Sequence, residues 1–205
     1  MKVSSFAIIA MVLVASAQPA VSEAKAEKPI SSIRIHPVFA EDFACQNHWE
    51  GQLKYPGDAL GTDCFVTELV EDEEGRAFSR SFTGDGLRNE DWFSWEKDVL
   101  APFDGKVIKI NINPVTNDPG KLGSPPASFL VFERADGAKT LLAHVKDVTV
   151  EEGDIVEAGQ AVAKVGNNGY GRNPHIHIGA FSASGEPLQI EIDLRAQGKL
   201  NSPSE

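Results

Sequence analysis

From Val99 to Leu194 the chain is written in short apolar runs, each cut off within a few residues by Gly, Pro, Asn or Asp, and none is long enough to bury one face of a helix. Asp104-Gly105 is a turn signal ahead of Lys106 to Ile112, a run rich in β-branched residues. Phe129 to Glu133 and Lys139 to Val145 are joined through Asp136-Gly137, a strong hairpin signal. Val148 to Val150, Ile155-Val156 and Ala161 to Val165 follow, separated by Gly153 and Gly159. His175 to Phe181 and Leu188 to Leu194 are the last strand candidates. No heptad, internal repeat or helix beyond a turn or two is predicted. The pattern therefore predicts a mainly β fold, with antiparallel sheets forming a sandwich or a partly open barrel.

The first third reads differently. Lys2, the apolar run Phe6 to Val14 and Ala15-Ser16-Ala17 have the layout of a secretory signal peptide over residues 1–17. Cleavage is expected after Ala17, with Ala20 as the second choice. Residues 18–30 read as a flexible lead-in, 31–85 as a β-rich extension, 86–195 as the main domain and 196–205 as a loose tail. Ile33, Ile35 and Phe39, then Phe65 to Val70 and Arg76 to Phe82, are the strand candidates of the extension. Cys45 and Cys64 are the only cysteines, and in an exported chain an isolated pair of this kind predicts a disulfide. Closing a loop of that length would stabilise the fold by about 3 kcal/mol in the chain-entropy model. The formal net charge is -11 without any basic cluster, which argues against a nucleic-acid partner. No segment after the leader is apolar for long enough to predict a stable membrane span.

Chemistry concentrates in a few side chains. In His175-Ile176-His177-Ile178, strand alternation puts both imidazoles on one face and both isoleucines on the other. Two neighbouring imidazoles are explained by a metal, for which neutral imidazole is a preferred ligand. His144 ends the apolar run Thr140-Leu141-Leu142-Ala143, and Asp91 precedes Trp92 just upstream of Val99. Taken singly, each has an ordinary reading: a hydrogen-bonded sheet histidine, or a carboxylate in a turn.

Taken together they carry a resemblance. Ala101-Pro102-Phe103-Asp104-Gly105-Lys106-Val107, Leu142-Ala143-His144, Val150-Glu151-Glu152-Gly153-Asp154-Ile155-Val156-Glu157-Ala158-Gly159-Gln160, Gly166-Asn167-Asn168-Gly169 and Pro174-His175-Ile176-His177 stand in this order. The stretch from Asp91 to Phe181 resembles the catalytic domain of lysostaphin/LytM-type zinc metallopeptidases. The resemblance implies a LytM-type β fold that takes Zn2+ and cleaves peptide cross-links of peptidoglycan. It implies Asp91 and His177 as metal ligands, with His144 and His175 beside a metal-activated water as general base and transition-state stabiliser. The family motif has a histidine four residues before its aspartate, and counting back from Asp91 reaches Leu87, which cannot ligate. Glu90 and His48 are the candidate surrogate ligands, while His36 reads as structural or exposed.

Three further readings stand beside the hydrolase. A degenerate LytM-like domain could bind peptidoglycan or regulate a cell-wall hydrolase without cutting anything. A biotinyl/lipoyl-like barrel would share the Gly-Asp turns, but Lys164 lies inside a strand pattern rather than at a hairpin tip, and His175 and His177 would be unexplained. Trp49, Trp92, Trp95 and Tyr170 could line a glycan or peptide groove, since aromatic rings stack on sugar faces.

Overall fold

The computed structural model describes residues 28–53 and 59–202. The expected signal peptide, residues 18–27 of the lead-in and the last three residues lie outside the described residues. In chain order the strands are β1 (Ser32–Ile35), β2 (Phe43–Asn47), β3 (Thr62–Val66), β4 (Glu68–Glu71), β5 (Ala77–Arg80), β6 (Asp98–Leu100) and β7 (Gly105–Asn111). There follow β8 (Phe129–Glu133), β9 (Lys139–Ala143), β10 (Val145–Lys146), β11 (Ile155–Val156), β12 (Ala161–Val165), β13 (Ile176–Phe181) and β14 (Gln189–Ile192). One short helix, α1 (Leu194–Leu200), closes the described chain.

Seven strands form the main sheet in the order β11-β7-β8-β9-β13-β3-β2, with every neighbouring pair antiparallel. A small antiparallel sheet, β10-β12-β6, packs with it, and β1 pairs in parallel with β14. The sheets remain open rather than closing into one barrel. The residues read as an N-terminal extension are built into this scaffold: β3 hydrogen-bonds directly to β13, and β2 forms the sheet's edge. No sheet boundary falls at residue 85. The β4–β5 hairpin, a two-stranded sheet of its own among the described residues, carries the acidic turn.

The strands form where alternation or continuous apolar character drives them inward. Ile176 and Ile178, together with Ala180, point from β13 into the core against Leu142, Val66 and Cys64, all buried. The opposite face of β13 is left to its histidine, as alternation predicts. Pairing Ile178 with Leu142 and Ile176 with Cys64 fixes β13 from both sides. A slip of one residue would turn the isoleucines out and the histidine in, so burial specifies the register strongly.

Several expected elements differ. The run Phe65 to Val70 is split between β3 and β4, because the chain leaves the main sheet after Val66 to enter the exposed hairpin. The run Lys139 to Val145 breaks at His144, whose φ of +67° ends β9. Residues 196–205 are not a loose tail throughout, since Leu194–Leu200 is helical and Asp193 caps it by accepting from the backbone N–H groups of Arg195 and Ala196.

Ile178→Ala should lower the unfolding free energy by about 2–5 kcal/mol, the range for emptying a fully buried site. Urea denaturation followed by circular dichroism measures it. A loss under about 1 kcal/mol would mean that the back of β13 is not the packed support described here.

Candidate metal centre

Register assembles the site. Asp63 on β3 lies directly opposite His177 on β13, and opposite Gln46 on β2. His48 stands two residues beyond Gln46, hence on the same face and diagonal to Asp63. Its backbone N–H donates to Gly61 O at 2.8 Å, carrying the β2–β3 ladder one step past the strand end. Three side chains from three adjacent strands thus converge. His177 Nδ1 lies 2.8 Å from Asp63 Oδ1, and His48 Nε2 lies 3.3 Å from Asp63 Oδ2. The rings of His48 and His177 stack with centroids 5.2 Å apart. Both histidines are buried.

Two more imidazoles complete the cluster. His175 precedes β13, with Nε2 3.7 Å from Asp63 Oδ1, and Phe65 stacks on its ring at 5.2 Å. His144 follows Ala143, the β9 residue paired with His177. Its left-handed backbone is uncommon for a residue with a Cβ and costs on the order of 1–2 kcal/mol. In that conformation its ring sits 4.5 Å from that of His175 and 6.3 Å from that of His177. Asn168 holds it in place. The Asn168 carbonyl lies 2.8 Å from His144 Nδ1, while its side chain accepts from Ser128 N and donates to Val145 O. Gly171 makes room, because a Cβ there would stand 3.2 Å from the His144 ring.

These contacts fix tautomers. A carbonyl can only accept, so His144 donates Nδ1–H to Asn168 O, and His175 donates Nδ1–H to Asn173 O at 2.7 Å. In each neutral ring Nε2 then carries the lone pair and is the atom that can take a proton. Burial pushes the His144 imidazole down to about 3, reinforced by His175 and His177 and only partly opposed by the Asn168 carbonyl and Asp63. Burial also lowers His175, against the pull of Asp63 and of the Asn173 carbonyl. Asp63 runs the other way overall. Burial would raise it, but the His177 hydrogen bond and the fields of His175, His177 and His48 hold it well below the usual carboxylate range. The site sets an anionic carboxylate near two imidazoles, His144 and His175, that burial disfavours in their charged form.

The donor set fits a divalent metal. Among the described residues, His48, Asp63 and His177 are the His/Cys/Asp/Glu group whose ligand atoms all lie within 4.8 Å of one another. Two imidazole nitrogens and a carboxylate oxygen make a set of three protein ligands, which suits zinc with a position left open. His48 Nδ1 is buried and has no hydrogen-bond partner among the described residues.

Of the residues expected from sequence, His144, His175 and His177 are brought together, and His48 joins them. Asp91 does not. Its carboxylate accepts from the Arg88 backbone N–H at 3.1 Å and from the Arg88 guanidinium at 2.8 Å, which caps a short 3-10 turn over Asn89–Asp91. Glu90 is exposed and lies outside the cluster. Leu87 is exposed in the loop before that turn. Asp63 is the residue that sequence reasoning missed. Its signal was its place beside Cys64, since a disulfide to Cys45 sets β2 against β3 and brings His48 onto Asp63's face.

Beside the cluster, a cavity of about 260 Å³ is bounded by Leu53, Pro126, Phe129, Leu141 and Tyr170, with His144 and His177 in its wall. A second depression holds Gln46, Phe65, Phe82, Trp92 and Asn173. Trp95 instead packs under the ammonium of Lys146, and Trp49 is exposed.

Residues 93–189 match the profile of peptidase family M23. The chain carries an M23 peptidase domain. One curated relative is the peptidoglycan DD-endopeptidase ShyB of Vibrio cholerae, 27% identical over 104 residues, a match covering 51% of this chain and 22% of that protein. The chain therefore matches only about a fifth of that relative's length. Solved structures that resemble it include the catalytic domain of lysostaphin from Staphylococcus simulans, with TM-score 0.43, 19% identity, and coverage of 70% of this chain and 81% of that one. Another is a mutant catalytic domain of the prophage-encoded M23 protein EnpA from Enterococcus faecalis, with TM-score 0.46, 18% identity, and coverage of 75% and 92%. Outside the M23 match, at residues 48 and 63, lie two of the three converging groups.

The imidazoles predict a distinctive acid sensitivity of the M23 protein without metal. Unfolded, His144 and His175 take up protons near pH 6.5; folded, His144 does so only near 3, and His175 is displaced in the same direction. The unfolded state thus binds more protons in this window, and stability falls as pH drops from 6.5 toward 3. Urea midpoints of chelated protein at pH 7 and pH 5 measure this, and His144→Gln should flatten the slope. A midpoint unchanged between the two would refute the buried neutral state of His144.

Proposed function

We propose that the protein is an exported zinc metalloendopeptidase acting on the peptide cross-links of peptidoglycan. His48, Asp63 and His177 hold the metal, and His144 and His175 move protons beside it. The observation that carries this reading is the convergence of one ligand atom from each of three neighbouring strands, with two further imidazoles of fixed tautomer alongside. Zinc, when bound, lowers the pKa of a bound water and polarises a carbonyl oxygen. The chain's own part is positional. Asp63 stays ionised and ties His177 and His48 to one point. His144 and His175 each offer a bare Nε2, which can accept a proton from water and then return it to a leaving amine. The Asn168 and Asn173 carbonyls stabilise each ring once it is protonated, because the Nδ1–H bond strengthens when the ring is charged. The apolar cavity bordered by Phe129, Leu141 and Tyr170 carries no charged side chain, and it suits an extended peptide with small uncharged residues near the cut.

Support for a cell-wall substrate comes from the M23 domain and from the activity named for ShyB. Support for export comes from the leader-like residues 1–17 and from the Cys45–Cys64 disulfide, a bond that persists in oxidising compartments.

Untagged protein should contain one zinc per chain and should release soluble fragments from isolated peptidoglycan, and a chelator should abolish the release. Asp63→Asn and His48→Ala should each weaken zinc binding by at least about a hundred-fold, beyond the 10–100-fold typical of residues that only orient a ligand. Asp91→Asn should leave metal content unchanged. Equal zinc in native protein, Asp63→Asn and His48→Ala would remove the ligand assignment. Intact zinc with no fragments released would remove the hydrolase.

A further inference from the structure

His48 and Asp63 are distant in the chain, with residues 49–62 standing between them. Two ligands at the ends of so long a segment need some other constraint to share one ion. The strand that carries His48 is a weak support. Among the described residues, β2 is the edge of the main sheet and pairs only with β3. Past Phe43, its residues Ala44 to Asn47 are exposed, so apolar burial holds it down very little. Its strongest tie is covalent. Cys45 and Cys64 face each other in the β2–β3 ladder and are disulfide-bonded. Cys64 is anchored in the core and adjoins Asp63, and Cys45 lies three residues before His48. The covalent ring closed by the disulfide contains both ligands.

We propose that Cys45 and Cys64 are positioning residues of the metal centre. Their disulfide holds the edge strand in the register that delivers His48 to Asp63 and His177, which makes tight metal binding conditional on oxidation. This rests on the reading of His48, Asp63 and His177 as ligands. With the bond broken, the loop closure that brings His48 to the site must be met from the binding energy of the metal itself, and affinity falls. The bond is open to exchange because Cys45 is exposed while Cys64 is fully buried. A dithiol reductant attacks with one thiolate at the Cys45 sulfur, expelling the Cys64 sulfur as a thiolate that takes up a proton. The second thiol of the reductant then displaces Cys45, which is likewise protonated, and the reductant leaves as a cyclic disulfide. Two electrons and two protons have passed to the chain. The centre is therefore complete only where disulfides form, and the same chain in a reducing compartment holds metal weakly.

The test compares zinc dissociation constants, by competition with a chromogenic chelator, for three forms: the oxidised protein, Cys45→Ser/Cys64→Ser, and oxidised protein reduced by a dithiol that is then removed anaerobically. Cobalt(II) absorption reports the ligand set, and circular dichroism with urea unfolding reports the fold. Both disulfide-free forms should keep the β-sheet spectrum and unfold cooperatively while binding zinc at least about ten-fold more weakly, a fraction of the constraint that a loop this long represents. The cobalt band should change as one imidazole is lost. His48→Ala should weaken binding strongly in the oxidised protein and much less in the disulfide-free background. Unchanged zinc affinity in the folded disulfide-free forms overturns the proposal while leaving the ligand assignment intact, as does a full His48→Ala effect in both backgrounds. Absence of zinc binding by the oxidised protein removes the metal centre itself, and the proposal with it. If the serine variant does not fold, the reduced native protein decides between the same results.

Discussion

The structure turns on one half-buried carboxylate, that of Asp63. Asp63 sits near the start of β3, facing His177 of β13, His48 just past β2 and His175 just before β13. A carboxylate taken out of water must be compensated, and here hydrogen bonds and nearby imidazoles outweigh the cost of burial and keep it ionised. His177 is set by sheet register, between Asp63 and Ala143, rather than by a flexible loop. Positions set by register are more exact than positions set by loops, because the ladder of backbone hydrogen bonds and the apolar packing behind it must fail together before a ligand moves. Ile176 and Ile178, buried on the reverse of β13, are therefore as much a part of the site as the histidine between them.

The second tier of the site works differently. His144 is placed by a strained backbone, and the strain is held by neighbouring polar groups. Asn168 satisfies Ser128 N, Val145 O and His144 Nδ1 at once. Asn117 does the same for the loop behind it, donating to the carbonyls of Gly169 and Gly171. Gly169 adopts a positive φ and passes against Ala127 so closely that a Cβ would stand 2.3 Å from its Cα. The loop is thus held by a network of hydrogen bonds, which fixes the Asn168 carbonyl against His144.

Most of the sheet was legible because burial writes itself into sequence. β8, β11 and β12 fall where the apolar runs place them, and β13 differs from its run only by losing His175. The histidine half of the site was legible for the same reason, since alternation puts His177 opposite the isoleucines. The acidic half was not. An aspartate was sought four residues after a histidine, but residues 49–62 separate His48 from Asp63, and no such spacing marks the pair that the structure brings together. β2 carried no strand signal to replace it: Phe-Ala-Cys-Gln-Asn does not alternate, because an exposed edge strand has no buried face to encode. Asp91 was the plausible substitute, and its real work is to hold Arg88 across a single turn, a role that any Asp near a turn can fill. The cysteine pair was the legible clue, for a disulfide predicts adjacency between strands that patterning leaves blank.

Considered as a folding problem alone, the cluster is a poor design. It keeps two buried imidazoles neutral against their own basicity, places a strained residue at the end of β9, and hangs one of its members on an edge strand. Apolar residues of like size at these positions would be at least as stable, since buried ionic groups seldom repay their desolvation against hydrophobic replacements. Local rules broken together at one point, in a chain that obeys them elsewhere, are what a functional site looks like in physical terms. The same argument separates this cluster from the acidic run Glu71 to Glu74, where the carboxylates are solvated or paired with Arg76 and no rule is broken. A cation bound between Asp63, His48 and His177 would relieve the imbalance directly, by placing a positive charge beside the carboxylate that burial would otherwise disfavour.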